Sequence, residues 1–200
     1  MNRQSAGTPS TADRILRTFL QLVAERGIDA TTTRVLAEAA GVNEVTIFRL
    51  FGDKANLATA AVRRFSSAEE LAQYPVCIDT SSPANLVDGL VDVLSFLRAR
   101  MLEHPEMIQF GIAEYFRFPQ LKEEIGANPR AARELVERAL VAARPGLRAD
   151  LEVRPASLML MGLLFVCVTW RERGWLELDE AGWRNAATQA VAGLLRTSRQ

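Results

Sequence analysis

Apolar residues along the chain return every three or four positions, and no long segment alternates between apolar and polar residues. Returns of this kind follow the 3.6-residue turn of an α-helix, whereas alternation is typical of a half-buried strand. The first apolar face includes Ile15 and Phe19, follows a capping Ser10 or Thr11, and stops at Gly27. The pattern predicts an all-α fold.

Residues 31–54, TTTRVLAEAAGVNEVTIFRLFGDK, predict two short helices with a tight turn between them. Thr32 is expected to cap the first of the two, which reaches Ala40, and Gly41 to supply the positive φ of the turn. Asn43 then caps the following helix. This spacing is typical of a helix-turn-helix, the arrangement that places a helix in the major groove of DNA.

The rest of the chain also predicts helices. Gly52 ends the third helix and Asp53 caps a longer fourth, which reaches about residue 73. Three later helices are predicted to start where a capping residue precedes a proline, at Ser82-Pro83, His104-Pro105 and Asn128-Pro129. Two more are predicted from Arg154 to Gly174 and from Asp179 to about Thr197. The total is about nine helices.

Charge is distributed unevenly along the chain. The hydrophobic content is 48% and the formal net charge is zero, which fits a soluble globular protein. Residues 1–65 nevertheless hold nine Lys and Arg against six Asp and Glu, while the remainder holds fifteen against eighteen. The third of the chain that contains the helix-turn-helix is therefore the basic part.

The sequence favours a cytoplasmic protein. Its first residues show no apolar segment of a secretory signal, and the longest apolar run, 155–170, is shorter than the roughly 18–20 residues that span a bilayer. Cys77 and Cys167 lie far apart, so we expect small buried thiols in the reduced state rather than a disulfide.

Over residues 15 to about 64, with the segments AERGIDATTTRVLAEAAGV and TIFRLFGDK, the sequence resembles the TetR-type transcriptional regulators. The resemblance implies a homodimer whose N-terminal domain binds DNA and whose C-terminal domain binds a small molecule and dimerises through its last two helices. It also implies that ligand binding separates the two DNA-reading domains and releases the operator. We expect a helix-turn-helix domain at 10–53, a connecting helix at about 54–73, and the ligand-binding and dimerisation domain at 74–200.

The third predicted helix departs from the family pattern at three positions. Phe48 stands where the family generally has Tyr and Leu50 where it has His, while a basic or uncharged residue is common at the position of Glu44. Phe48 lacks a hydroxyl to donate to phosphate, and one neutral hydrogen bond is worth about 1 kcal/mol, so we expect weakened rather than abolished binding. We expect Leu50 to face the core.

Two interpretations of Glu44 are open. An acid in the first turn of a helix interacts favourably with the helix dipole, by about 0.3–1 kcal/mol. Alternatively, the Glu44 carboxylate accepts a hydrogen bond from the exocyclic amine of cytosine. In that role Glu44 would discriminate among bases, at the cost of repulsion from phosphates.

The candidate DNA-binding side chains divide by chemistry. Donors at helix starts are expected to contact phosphate and set the register, namely Thr33, Arg34 and Lys54. Side chains on the third helix are expected to reach bases or adjoining phosphates, namely Asn43, Glu44, Val45, Thr46, Phe48 and Arg49. For each residue the alternative is a helix cap or a solvated surface position.

The C-terminal part predicts a dimer interface and a pocket. The helix at 155–170 is apolar nearly all round and needs cover on several sides, which a four-helix dimer interface would supply. Its expected partners on the last helix are Trp183, Ala187, Ala190, Val191 and Leu194. Large adaptable side chains are the candidate ligand pocket, with core packing as the alternative: Phe96, Met107, Phe110, Tyr115, Phe116, Met161 and Phe165. Polar groups available to orient a ligand are Glu114, Arg117 and Thr169.

The sequence contains few residues that favour catalysis. The one histidine, His104, is expected to cap a helix, nothing places it beside Cys167, and we find no metal-ligand cluster, phosphate-binding loop or serine elbow. We expect no cofactor and no metal. The function expected is a ligand-responsive regulator, a repressor that binds a palindromic operator as a homodimer and is released by a small, largely apolar molecule. The alternative is a helical small-molecule-binding protein with weakened DNA binding, which Phe48 and Glu44 would favour.

Overall fold

The computed structural model describes residues 10–196, and the all-α prediction is confirmed within that range. The described helices are α1 (Thr11–Ala30), α2 (Thr33–Ala40), α3 (Glu44–Phe51), α4 (Lys54–Arg64), α5 (Ala68–Gln73), α6 (Pro83–Glu103), α7 (Pro105–Glu114), α8 (Lys122–Ala142), α9 (Val153–Glu172) and α10 (Glu180–Ala192). Two 3-10 turns lie at Pro119–Leu121 and Arg144–Gly146. The expected end of the last helix at Thr197, and most of the segment inspected for a secretory signal, lie outside the described residues.

The chain divides into two compact units, and the first contains the helix-turn-helix. It comprises the described residues up to Ser66 together with Glu106–Gly126, a segment that the sequence prediction assigned to the C-terminal domain. Phe110 of that segment is fully buried, and its ring centroid lies 6.3 Å from that of Phe19 on α1. The domain boundaries expected from the sequence remain a prediction. The core of the first unit nevertheless includes side chains of Glu106–Gly126, which we call the α7 segment.

The second unit is built on α6, α9 and α10, with the part of α8 that follows Gly126. Trp183 of α10 lies at its centre with no exposed surface, and its indole Nε1 donates to Ser95 Oγ at 2.9 Å. The guanidinium of Arg98 lies 5.2 Å from the Trp183 ring and pairs with Glu180 at 2.8 Å. These contacts fasten α10 to α6.

Two helix boundaries differ from the prediction. The predicted fourth helix is interrupted at Phe65–Ser67, where the chain passes from the first unit to the second. Pro129 does not start a helix but lies inside α8, and Asn128 accepts from the Ser67 amide at 3.0 Å instead of capping. The predicted starts at Pro83 and Pro105 are those of α6 and α7. A capping residue followed by a proline can start a helix, but the same pair of residues can also lie inside a helix. The sequence alone does not distinguish the two cases.

The stripe predicted for the dimer interface faces the core of its own subunit. Trp183, Ala187 and Val191 have no exposed surface, Leu194 is buried, and Ala190 is half-buried. A side chain enclosed by its own chain has no surface left for a partner. The assignment of the four buried residues to a dimer interface is therefore wrong, because α6 and α9 already cover this face of α10.

The residues predicted to line a ligand pocket are distributed over both units. Met107 and Phe110 pack in the first core, while Phe96 and Met161 pack against the second, where the Phe96 ring stacks on Tyr74 at 4.1 Å. Tyr115 and Phe116 meet edge to face at 5.2 Å, and Phe116 is 82% exposed. Phe165 is also exposed, on α9. Phe110 is a core residue, and the pocket itself stays a prediction.

Candidate nucleic-acid interface

The turn between α2 and α3 is built by three local devices that the sequence predicts. Thr32 accepts from the Val35 amide at 3.2 Å, and Asn43 accepts from the Val45 amide at 2.9 Å, so both helix starts are capped. Gly41 adopts a left-handed conformation with φ 63° and ψ 43°. The Val42 amide then donates to Ala37 O at 2.9 Å, which completes the hydrogen-bond pattern that ends a helix at such a glycine.

One face of α3 is anchored and the other is open. Ile47 is 2% exposed and packs in the core of the first unit, whereas Val45 is 70% and Phe48 is 51% exposed. Asn43 and Arg49 are also exposed, and Thr46 is half-buried. The open face thus carries the side chains expected to reach bases.

The exposure of Leu50, on the same helix, differs from the prediction. The sequence prediction placed it in the shared core, but it is 44% exposed. The helix has only eight residues, and the core contact is already made by Ile47, one turn earlier. Leu50 therefore belongs to the open side of α3.

Glu44 has a partner that the sequence prediction did not include. Thr33 Oγ1, in the first turn of α2, donates to Glu44 Oε1 at the first residue of α3. The hydrogen bond joins the starts of the two helices and leaves Oε2 without a described partner. No pattern within one helix reveals it, since the two residues are brought together only by the turn at Gly41.

The phosphate donors expected at helix starts are in different situations. Arg34 is exposed at the start of α2, but the Thr33 hydroxyl is engaged by Glu44. Lys54 is half-buried, and its Nζ donates to Ile28 O near the end of α1. Burial lowers the pKa of Lys54, and the nearby Asp29 carboxylate opposes that shift. Arg34 is thus the more accessible cation of the two.

Two ion pairs fasten the α7 segment to α1 and α4 of the first unit. Arg117 Nη2 lies 2.6 Å from Asp29 Oδ2, and Arg63 Nη2 lies 2.6 Å from Glu124 Oε1. In each case the hydrogen bond from the arginine holds the pKa of the carboxyl below its ordinary value. The partners are far apart in sequence, so spacing could not predict them. Arg117, expected near a ligand, instead pairs with Asp29 in the last turn of α1.

Glu114 is a second unusual charge in this segment. It is 2% exposed, and its Oε2 has no hydrogen-bond partner among the described residues. Arg117 Nε lies 3.7 Å from that oxygen, too far for a hydrogen bond but close enough for attraction. The buried Glu114 carboxylate thus lies next to the Asp29–Arg117 ion pair, on its side away from solvent. Between residues 10 and 196 no group of three or more His, Cys, Asp or Glu residues is arranged to hold a metal ion.

Residues 15–61 match the family model described as bacterial regulatory proteins, tetR family. The chain is also 28% identical over 126 residues to YvkB, an uncharacterized HTH-type transcriptional regulator of Bacillus subtilis (strain 168). That match covers 63% of this chain and 64% of YvkB, so it spans slightly less than two thirds of the relative.

Solved structures share the fold over nearly the whole chain. A linker-substituted mutant of HlyIIR, a hemolysin II transcriptional regulator, has a TM-score of 0.68 at 17% identity, covering 95% of this chain and 98% of the other. NalD, the secondary repressor of the MexAB-OprM multidrug efflux pump in Pseudomonas aeruginosa, has a TM-score of 0.67 at 22% identity, covering 93% and 98%. A TetR family transcription regulator from Marinobacter aquaeolei VT8 has a TM-score of 0.66 at 20% identity, covering 94% and 96%.

Proposed function

We propose that the chain is a TetR-type transcriptional regulator that represses transcription by binding a palindromic operator as a homodimer, a proposal supported by the family match at residues 15–61 and by the similarity to YvkB. A small, largely apolar molecule releases it. The protein acts in the cytoplasm and performs no catalysis. NalD, one of the similar structures, is described as a repressor. This description supports repression rather than activation here.

The observation that carries the proposal is the open face of α3. Val45 and Phe48 are large apolar side chains in solvent, next to the polar Asn43 and Arg49. The major groove of DNA offers methyl groups, amines and acceptors that match such a mixed face. Arg34 and Lys54 supply positive charge at the flanking helix starts.

The proposed homodimer uses an exposed face of α9. Six apolar side chains on this helix are solvent-exposed, whereas Ala156, Leu160, Leu164, Cys167 and Val168 are buried in their own subunit. By length and composition α9 also meets the criteria for a membrane span, with 39% of its apolar window buried. Burial of its inner face at Leu160 and Leu164 favours a core helix that needs one further cover, which a second copy supplies.

The proposed release passes through the α7 segment. Residues 106–126 follow α6 in sequence and continue into the part of α8 that belongs to the second unit. They are held to α1 and α4 by the pairs of Asp29 with Arg117 and of Arg63 with Glu124. A ligand that displaces α6 or α8 therefore pulls on the helix-turn-helix through this segment. The predicted pocket residues Tyr115 and Phe116 belong to it as well.

Capture of genomic DNA tests the proposal. The purified protein is mixed with fragments of the genome that encodes it, and the bound fragments are sequenced. We expect a small set of enriched promoter-proximal fragments, absent with an Arg34→Ala/Arg49→Ala variant of unchanged thermal stability. Random genomic fragments bound by both proteins alike would favour the alternative, a small-molecule-binding protein with weakened DNA binding.

A further inference from the structure

Lys54 is an exception in a chain that otherwise uses arginine for its positive charges. Lys54 and Lys122 are the only lysines among 24 Lys and Arg residues. A guanidinium keeps its charge in any protein environment, whereas an ammonium group readily loses a proton when it is buried. The positive charge at position 54 therefore depends on the groups around it, and the charges of the arginines do not.

The surroundings of Lys54 act on its charge in both directions. Lys54 is half-buried at the start of α4, and this burial is the largest cause that lowers its pKa. The carboxylates of Asp29 and Glu114 raise the pKa of Lys54, and the guanidinium of Arg117 lowers it. These three groups belong to α1 and to the α7 segment rather than to α4. Two carboxylates from other elements thus oppose the effect of burial on Lys54.

Direct contacts connect these four side chains. Lys54 Nζ donates to Ile28 O, which precedes Asp29 in the last turn of α1. Arg117 Nη2 lies 2.6 Å from Asp29 Oδ2, and Arg117 Nε lies 3.7 Å from Glu114 Oε2. The backbone amide of Arg117 also donates to Glu114 O at 3.0 Å, which fixes the turn that carries both side chains. The result is one cluster of two cations and two carboxylates.

Glu114 lies where a carboxylate is disfavoured on its own. It is the last residue of α7, and the dipole of a helix disfavours an acid at that end. Its side chain is buried, and Oε2 has no hydrogen-bond partner among the described residues. A buried charge is costly unless opposite charges compensate it. The two cations of the cluster supply this compensation, and Lys54 has donors beyond the one that Ile28 O accepts.

We propose that Glu114 is a positioning residue for DNA binding: its buried carboxylate, together with that of Asp29, holds the Lys54 ammonium in its charged form at the start of α4. The inference rests on the proposed function, in which Lys54 contacts phosphate. It adds a residue outside the helix-turn-helix to the groups that determine the charge of the DNA-binding surface. Because Glu114 is buried, it acts through Lys54 and not by touching DNA.

The titration of Lys54 tests the cluster without DNA. In NMR spectra of protein with isotope-labelled lysine, the chain gives side-chain signals of two lysines, and Lys122 serves as the internal reference. Glu114→Gln keeps the size of the side chain and removes its charge, so Lys54 should lose its proton at a lower pH than in wild type. Asp29→Asn, at an exposed carboxylate, should act in the same direction and needs no change in the core. An unchanged Lys54 titration in either folded variant would overturn the proposal.

Glu124→Gln is the matched control for the tether. It removes the ion pair with Arg63, which joins the same α7 segment to α4, but Glu124 is not one of the charges that act on Lys54. The Lys54 titration of this variant should be that of wild type. An equal shift in Glu124→Gln and Glu114→Gln would show that any loosening of the α7 segment alters Lys54, and the specific role of Glu114 would be lost.

The pH dependence of DNA binding connects the cluster to function. Affinity that depends on the Lys54 charge falls as the pH rises through the pKa of Lys54, so in Glu114→Gln this fall should begin at a lower pH than in wild type. Adding Lys54→Arg, whose guanidinium does not lose its proton, should remove the difference. A difference that persists with Lys54→Arg would overturn the action of Glu114 through Lys54.

The two experiments separate this inference from the function on which it rests. Wild type that binds no DNA, with the Lys54 titration shifted as expected in Glu114→Gln, would reject the proposed regulator and retain the effect of Glu114 on the Lys54 charge. Wild type that binds a specific operator, with no shift of Lys54 in Glu114→Gln, would retain the regulator and reject the role of Glu114.

Discussion

Thr33 Oγ1 donates a hydrogen bond to Glu44 Oε1, and this contact joins the start of α2 to the start of α3. It gives the acid at the leading end of α3 a fixed position. A carboxylate that only neutralised the helix dipole would need no such partner. With Oε1 engaged, Oε2 is the oxygen left to accept from a base.

We predict that Glu44 contributes to base discrimination. Glu44→Gln keeps the size of the side chain and removes its charge, so it should relax preference at one position of each half-site, by about 1–3 kcal/mol. It should also raise non-specific affinity, because repulsion from phosphate falls. Binding-site selection on wild type and variant at equal salt measures both effects. Identical preferred sequences with a uniform affinity gain would leave the dipole as the explanation of Glu44.

Thr33→Val serves as the control for positioning. Valine keeps the shape of threonine and removes the donor, so the variant should relax preference at the same position as Glu44→Gln. The double variant should be no worse than the single Glu44→Gln variant, since both changes act on one contact. A loss at a different position would separate Thr33 from Glu44 and favour a direct phosphate contact by Thr33.

We predict that Lys54 contributes to phosphate binding through its remaining donors. Lys54→Met keeps the aliphatic stem and removes the charge, so affinity should fall on all sequences alike. The dependence of log affinity on log salt should become shallower by about 0.9 for each phosphate that the variant no longer neutralises. Arg34→Ala is the matched comparison at an exposed site. An unchanged salt slope for Lys54→Met, with a lower melting temperature, would make Lys54 a structural tie to Ile28 alone.

Phe48→Tyr should strengthen DNA binding. The side chain of Phe48 is half-exposed on the open face of α3, so an added hydroxyl has access to phosphate without entering the core. We expect a gain of up to about 1 kcal/mol on every operator, with the preferred sequence unchanged. Titration of a selected duplex measures it. A loss of affinity would show that Phe48 packs against sugar and that the hydroxyl disturbs this contact.

Trp183 should stabilise the subunit rather than the dimer. Trp183→Phe removes the hydrogen bond to Ser95 and leaves a small cavity beside Arg98, so unfolding free energy should fall by about 2 kcal/mol. Trp175→Phe, on an exposed side chain, should change it little. Chemical denaturation at matched protein concentration gives both values. An unchanged unfolding free energy with a raised dimer dissociation constant would instead show that Trp183 belongs to the dimer interface.

The helix-turn-helix was predictable in detail because its determinants are local. Thr32, Gly41 and Asn43 act on backbone groups within five residues of themselves, so the sequence alone identifies the caps and the turn. The contacts of Asp29 with Arg117 and of Thr33 with Glu44 depend instead on tertiary packing. The spacing of these residues in the sequence does not distinguish them from polar and charged side chains that are simply solvated.

The error on α10 has a different physical origin. An apolar stripe specifies that a helix face is buried, but not whether its own subunit or a partner buries it. For α10 the stripe at Trp183 and Val191 packs on α6 and α9, and the face in need of cover lies on α9. Periodicity cannot make that distinction, because both faces of α9 are apolar and only the fold decides which one remains open.

Selection from random duplexes is the most direct test of the central claim, that a dimer of this chain reads specific operator DNA. Wild type at physiological salt should enrich a pseudo-palindrome whose half-sites are related by two-fold symmetry and separated by about one or two helical turns. The Arg34→Ala/Arg49→Ala variant should enrich nothing. Recovery of unenriched sequences by the wild type, with binding that depends on salt alone, would contradict the account.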